Sequence, residues 1–120
     1  MGRKINVQEK LKKFSELWTP KQVGVLNDCE VRLVKCKGEF PWHHHDDEDE
    51  MFYCLKGVFI VRFKEEVVNL KKGEMVFVPR KTEHQTAAIK EAHIIYISKK
   101  DAVNTGNVRN EKTIKNAEKI

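Results

Sequence analysis

Between Gln22 and Ser98 the chain breaks into short runs in which apolar and polar residues alternate, each closed by glycine or by a charged pair. This rhythm limits the fold more than any other feature. A period near two puts successive side chains on opposite faces of an extended strand. The spacing predicts strands over Gln22–Leu26, Glu30–Lys37, Trp42–His45, Glu50–Leu55, Val58–Lys64, Val67–Leu70, Met75–Val78, Glu83–Ile89 and His93–Ser98. Gly38, Gly57, Gly73 and Lys64-Glu65-Glu66 supply the turns between them. Many short strands with close turns predict an all-β sandwich or barrel.

The flanks differ from this middle. Asn6 is placed to cap a helix over Val7–Phe14, with Val7, Leu11 and Phe14 on one face, and Thr19-Pro20 ends it. Beyond Asp101 the chain turns polar. A turn is expected at Asn104-Thr105-Gly106 and a terminal helix over Glu111–Lys119. The expected organisation is a helical arm over 1–20, a β-barrel over 21–100 and a tail over 101–120.

A chain of 120 residues suffices for one domain and one core. No apolar run approaches the roughly 18–20 residues needed to span a bilayer, and the N-terminus lacks the apolar stretch of a secretion signal. Cys29, Cys36 and Cys54 form an odd set with no Cys-x-x-Cys pair, which predicts reduced thiols and a cytoplasmic setting. The net charge is +5, yet five of the 18 acids sit in Asp46–Glu50, so the rest is near +10. Its lysines are scattered, with no Arg-rich helix or aromatic-lined groove, so a solvated surface is expected rather than a nucleic-acid partner.

The same acidic run follows three consecutive histidines, His43-His44-His45. On an extended segment His43 and His45 share one face, and His44 points away. Glu50 opens the next apolar run, and His84 follows Pro79 in a second strand–turn–strand pattern. Each could be an ordinary surface or hydrogen-bonded residue, and Asp46–Asp49 either a hydrated loop or a field drawing cations in. Together, imidazoles on one face, a carboxylate across a loop and a distant third imidazole make a candidate site for a divalent transition metal.

The stretch Gly38…His43-x-His45-x4-Glu50-x6-Gly57 resembles the first motif of the cupin superfamily, and Gly73-x5-Pro79…His84 resembles its second. The resemblance covers roughly Gln22 to Ser98 and is nearest to small mannose-6-phosphate isomerase-like cupins. It implies a cupin-type jelly-roll β-barrel, usually a homodimer, holding one divalent transition metal per chain (Zn, Fe, Mn or Ni) through His43, His45, Glu50 and His84. There are departures. Four residues separate Gly38 from His43 where five are usual. Lys81 stands where the second motif usually has glycine, which strains the turn if that position needs positive φ. Ala88 replaces the usual asparagine.

Three imidazoles and one carboxylate leave coordination positions open on a six-coordinate metal. By alternation Phe52, Cys54 and Thr86 line the space beside it, with Cys54 either reactive or simply core. Arg62 could face either way, and Trp42 could flank the pocket mouth or pack at a dimer interface. With no Arg/Lys pair clearly facing inward, a sugar-phosphate substrate is weakly supported. The expected function is a metal-dependent enzyme acting on a small polar molecule, of isomerase or dioxygenase type. The alternative is a non-catalytic metal- or ligand-binding module. The arm residues Leu11, Phe14, Leu17 and Trp18 carry more apolar surface than a free tail tolerates, so the arm should fold onto its own barrel or the partner's.

Overall fold

A computed structural model describes all residues, 1–120. One short helix, α1 (Val7–Leu11), precedes eight strands: β1 (Lys21–Leu26), β2 (Cys29–Glu39), β3 (Glu50–Lys56), β4 (Phe59–Phe63), β5 (Val67–Leu70), β6 (Met75–Val78), β7 (His84–Lys99) and β8 (Glu118–Lys119). The fold is an all-β jelly roll. β7 is its spine, pairing antiparallel with β2, β3 and β4. From it one path runs through β2 and β1 to β8, a second through β4 to β5, and a third through β3 to β6. Over residues 30–36, 50–54, 84–88 and 92–98 the even-numbered side chains of β2, β3 and β7 face inward. Val34, Cys36, Phe52, Cys54, Ala92, Ile94 and Tyr96 form one cluster with Phe59, Val61, Leu70 and Val78.

Four local expectations are corrected. The two strands predicted over Glu83–Ile89 and His93–Ser98 are one strand of 16 residues. The exposed Ile89, Lys90 and Glu91 look like a turn in sequence. They instead bulge outward, because Ala88 and Ala92 on β7 face Gly38 and Cys36, two residues apart on β2. Gly38, expected in a turn, sits inside β2 at this bulge with φ of 83°. Trp42–His45 is not a strand: only His43 pairs, in a single antiparallel bridge with His84. No terminal helix forms over Glu111–Lys119. Asn104 takes the backbone of Lys112 and Ile114, and Thr105 binds Thr113, so side chains hold this segment in turns that lead to β8.

The arm folds onto its own barrel. Asn6 caps α1 by accepting from the Glu9 amide at 3.0 Å, but the helix stops at Leu11, short of the expected Phe14. Leu11 and Phe14 pack on Val23 and Leu33. Trp18, with φ of 57°, enters the main core, and its indole N–H donates to the Lys37 carbonyl at 2.8 Å. No helix is long and apolar enough to cross a membrane. All three cysteines are free thiols.

Candidate metal centre

Local backbone bonds aim the four expected ligands at one point. His43 and His84 exchange both main-chain hydrogen bonds, each N···O distance 2.9 Å, so their side chains leave the sheet on the same face. The carbonyl of His45 accepts from the Lys81 amide at 2.7 Å. Lys81 holds φ of 62°, so the strained left-handed turn anticipated at that position is real. Glu50 is the first residue of β3 and pairs with Val78 at the end of β6. His43, His45, Glu50 and His84 are all buried, and one ligand atom from each lies within 4.8 Å of the others.

Each ring is also oriented from behind. His43 Nδ1 faces the Pro41 carbonyl at 2.8 Å, and His84 Nδ1 faces the Thr82 carbonyl at 2.9 Å. A carbonyl only accepts, so both Nδ1 atoms carry the hydrogen and both Nε2 atoms present a lone pair to the centre. His45 Nδ1 lies 3.3 Å from Glu48 Oε2. Within Asp46–Asp49, which the sequence leaves open as a hydrated loop or a field drawing cations in, Glu48 is buried and also accepts from the Lys99 amide at 2.8 Å. Such carboxylate–imidazole pairs fix the tautomer and raise the basicity of a metal ligand.

The donor set fits a metal on one further observation. Buried polar atoms almost always find partners, yet His45 Nε2, Glu50 Oε1 and His84 Nε2 have none. His45 Nε2 lies 3.2 Å from Glu50 Oε1 without hydrogen-bond geometry, and His84 Nε2, at 3.6 Å from it, is too far to bond. A divalent ion between them would satisfy all three. Neutral imidazole and carboxylate donors suit a first-row transition metal.

The charges are uneven across the cluster. Burial, reinforced by the nearby His84, holds His43 down at about 4. Burial also opposes charge on His45, but contacts with the Glu48 and Glu50 carboxylates override it and lift that imidazole to about 10. For Glu50, burial favours the neutral acid, but the His45 and His84 rings override it and hold the group at about 2. Without metal, these opposite shifts favour a charged His45 beside an ionised Glu50.

A small cavity adjoins His43 and Glu50. Its volume is about 40 Å³, room for about three waters. Phe52 and Thr86 line it as alternation predicts. Cys54 does not: it is wholly buried beneath, with its thiol against the Lys56 and Gly57 carbonyls. The remaining wall includes Trp18, Phe40, Phe59, Tyr96 and Asn104. Strand parity offered a signal for Tyr96, which shares a face with Ile94 and Ser98, but Trp18 and Asn104 arrive from flanks that carry no local clue. Arg62 points away, to Glu39 and Gln85. His44 faces outward as expected, between Asp46 and Glu83. Its backbone N–H donates to the Asn107 side chain, and its carbonyl accepts from the Asn107 amide. Gly106 beside it has φ of 57° and no space for a Cβ against the His44 carbonyl, so the segment after β7 braces the histidine loop.

Comparison with known proteins agrees with this geometry. The family model described as cupin domain matches residues 30–98. The uncharacterized protein YdbB of Bacillus subtilis is 38% identical over 81 residues, covering 67% of this chain and 66% of that protein, just under two thirds of its length. The crystal structure of a cupin-2 domain containing protein from Shewanella frigidimarina superposes with a TM-score of 0.79 at 35% identity, covering 80% of this chain and 94% of that one. Protein NMB1881 from Neisseria meningitidis shares the fold, with a TM-score of 0.75 at 24% identity over 81% of this chain and 99% of its own.

Proposed function

This chain belongs to the cupin family, and from that premise we propose that it is a divalent-metal-dependent enzyme acting on a small polar molecule, with His43, His45, Glu50 and His84 as the metal ligands. The observation that carries this reading is the set of three buried, partnerless donor atoms converging beside a cavity. When bound, a first-row ion polarises a carbonyl, activates water or, as iron, supplies redox chemistry. The protein's own contribution is orientation and exclusion of water. Three imidazoles are pinned through Nδ1, and aromatic rings from the arm and the barrel close the space.

The cavity also narrows the substrate. No lysine or arginine lines it, so nothing balances a phosphate, and at about 40 Å³ it admits only a few non-hydrogen atoms unless Trp18 or Phe40 moves. These features favour a small carboxylate, hydroxyl or carbonyl compound of the kind an isomerase or dioxygenase handles over a sugar phosphate. The aromatic walls also favour a second reading, a non-catalytic metal- or ligand-binding module. Cobalt-substituted protein separates the two. An open coordination position changes its visible spectrum when azide or acetate is added. A tetrahedral spectrum that no small ligand alters marks a closed structural site and selects the module.

We further propose that the protein works in the cytoplasm as a homodimer. Met75 and Phe77 on β6 and Val67 on β5 are at least half exposed, at the strands where the two shorter paths end, and paired edges are a usual remedy for such strands. Light scattering at micromolar concentration should give twice the 14.1 kDa chain mass, and a monomer mass rejects the dimer.

A further inference from the structure

The cavity beside His43 and Glu50 is small enough that a ligand entering it from the metal position meets every wall. Few wall groups have a proton to offer. The Trp18 indole N–H is committed to the Lys37 carbonyl at 2.8 Å. Asn104 spends one amide N–H on the Lys112 carbonyl at 2.9 Å and its oxygen on the Ile114 amide at 2.7 Å, which leaves one N–H. Cys36 is a weak donor. That N–H and the hydroxyls of Thr86 and Tyr96 remain.

Tyr96 is held in a way that Thr86 is not. Its ring packs on Phe52 with centroids 5.5 Å apart. Behind its hydroxyl lies Arg32, only 1% exposed, whose Nη1 donates to the phenolic oxygen at 3.3 Å. Arg32 is itself held by Glu30, through an Nε hydrogen bond at 3.1 Å and an ion-pair contact at Nη2 of 3.0 Å that lacks hydrogen-bond geometry. The second Glu30 oxygen accepts from the Asp101 amide at 2.9 Å. Keeping a guanidinium and a carboxylate inside a barrel is expensive. A guanidinium has donors only, so the phenol must accept from it and direct its own proton elsewhere. No protein group takes that proton: the contact with Arg32 is the one hydrogen bond of the hydroxyl. Burial also pushes the phenol well above its ordinary range, so the proton stays on.

We propose that Tyr96 is a ligand-binding residue whose hydroxyl donates a hydrogen bond to an acceptor atom of a small molecule seated between it and the metal, with Arg32 as the residue that positions it. The ligand class is a compact carboxylate, enolate or similar anion that presents an acceptor next to its metal-binding atom. This inference rests on the metal-dependent reading above. Tyr96 neutralises nothing; it selects for a ligand with a lone pair in the correct place.

The test uses full-length cobalt-loaded protein and azide, followed by the visible spectrum. Tyr96→Phe should weaken azide binding about tenfold, the effect of a lost hydrogen bond to a charged partner, with cobalt affinity unchanged. Thr86→Val should change azide binding less than about twofold. Equal azide affinity in the parent and Tyr96→Phe, or a larger loss in Thr86→Val, overturns the assignment of Tyr96 alone. Failure of the parent to bind cobalt, or to respond to azide at all, overturns the functional reading and this inference with it.

Tyr96→Phe leaves Arg32 facing an apolar edge and can unfold the chain, so a second measurement keeps Tyr96 in place. The chain has two tyrosines, and Tyr53→Phe leaves Tyr96 alone. In zinc-loaded, fluorotyrosine-labelled Tyr53→Phe protein, azide should shift the single fluorine resonance. An unmoved resonance overturns the proposal. In Arg32→Met protein that still binds zinc, the azide response should be lost; a full response removes the positioning role of Arg32.

Discussion

His43 and His45 lie two residues apart, face the same centre and are both buried, yet they sit on two different sides of the site. His43 borders the apolar cavity and, like His84, rests on a backbone carbonyl. His45 borders an outer cleft shared with Asp46, Asp47 and Glu48, and rests on a carboxylate. The same side chain is therefore held near 4 on one side and near 10 on the other. Burial without a counter-charge discharges an imidazole, and burial between two carboxylates charges it. The cavity side offers a ready lone pair. The cleft side must lose a proton before it can coordinate.

The strongest way to break this division is Glu50→Ala, which removes the one charged ligand common to both sides. Metal affinity should fall by well over about a hundredfold, beyond the range of orienting residues, as measured by competition with a chelator. A variant that still held metal tightly would show that the imidazoles alone suffice. Glu48→Gln sharpens the comparison by altering only the support of His45. It should lower affinity about 10–100-fold and bring the His45 titration, followed by NMR in metal-free protein, down towards the ordinary value of 6.5. An unchanged titration would mean that Glu50 alone sets the charge.

The pH dependence follows from the same asymmetry. Near neutral pH His43 is uncharged and Glu50 ionised, and His45 still carries a proton that coordination must displace. Binding should therefore release about one proton, and apparent affinity should rise about tenfold per pH unit. Calorimetry in buffers of different ionisation enthalpy counts that proton, and no release refutes the charged His45. For metal-free protein the signs are opposite on the two sides. The raised His45 contributes stability that is full below 6.5 and lost as pH rises towards about 10. The lowered Glu50 contributes stability that is full above 4.5 and lost as pH falls towards about 2. The lowered His43 works against folding as pH falls from 6.5 to about 4, because the unfolded chain takes up the proton first. Denaturant midpoints across this range should decline at both extremes, and a flat profile contradicts all three assignments. The smallest effect belongs to His44→Ala. That ring is partly exposed and faces Asp46 and Glu83, so stability should change by no more than about 0.5 kcal/mol, with metal affinity intact.

The sequence displayed His43, His45 and Glu50 because their placement is local; His84 is brought in by its bridge to His43. His43-x-His45 and the step from Glu50 to Phe52 depend on strand parity, and parity survived even though residues 42–45 form one bridge rather than a strand. What it hid depends on distant partners. Ile89-Lys90-Glu91 has turn composition, and only the pairing of Ala88 and Ala92 with β2 keeps β7 continuous. Glu111–Lys119 has helical composition, but Asn104 and Thr105 claim its backbone and side chains first. Glu48 reads as one more acid of the run Asp46–Asp49 until the Lys99 amide draws it inward. Trp18 and Asn104 reach the cavity from opposite ends of the chain, and no spacing rule links them.

The central claim is that these four side chains hold one metal ion. Elemental analysis of protein purified without added metal tests it most directly, with Glu50→Ala and His84→Ala proteins in parallel. The account predicts about one equivalent of a first-row transition metal per chain in the parent and almost none in either variant, with all three folded. A parent that carries no metal and takes up none from stoichiometric zinc, cobalt, iron, manganese or nickel, or variants that retain as much as the parent, would contradict it.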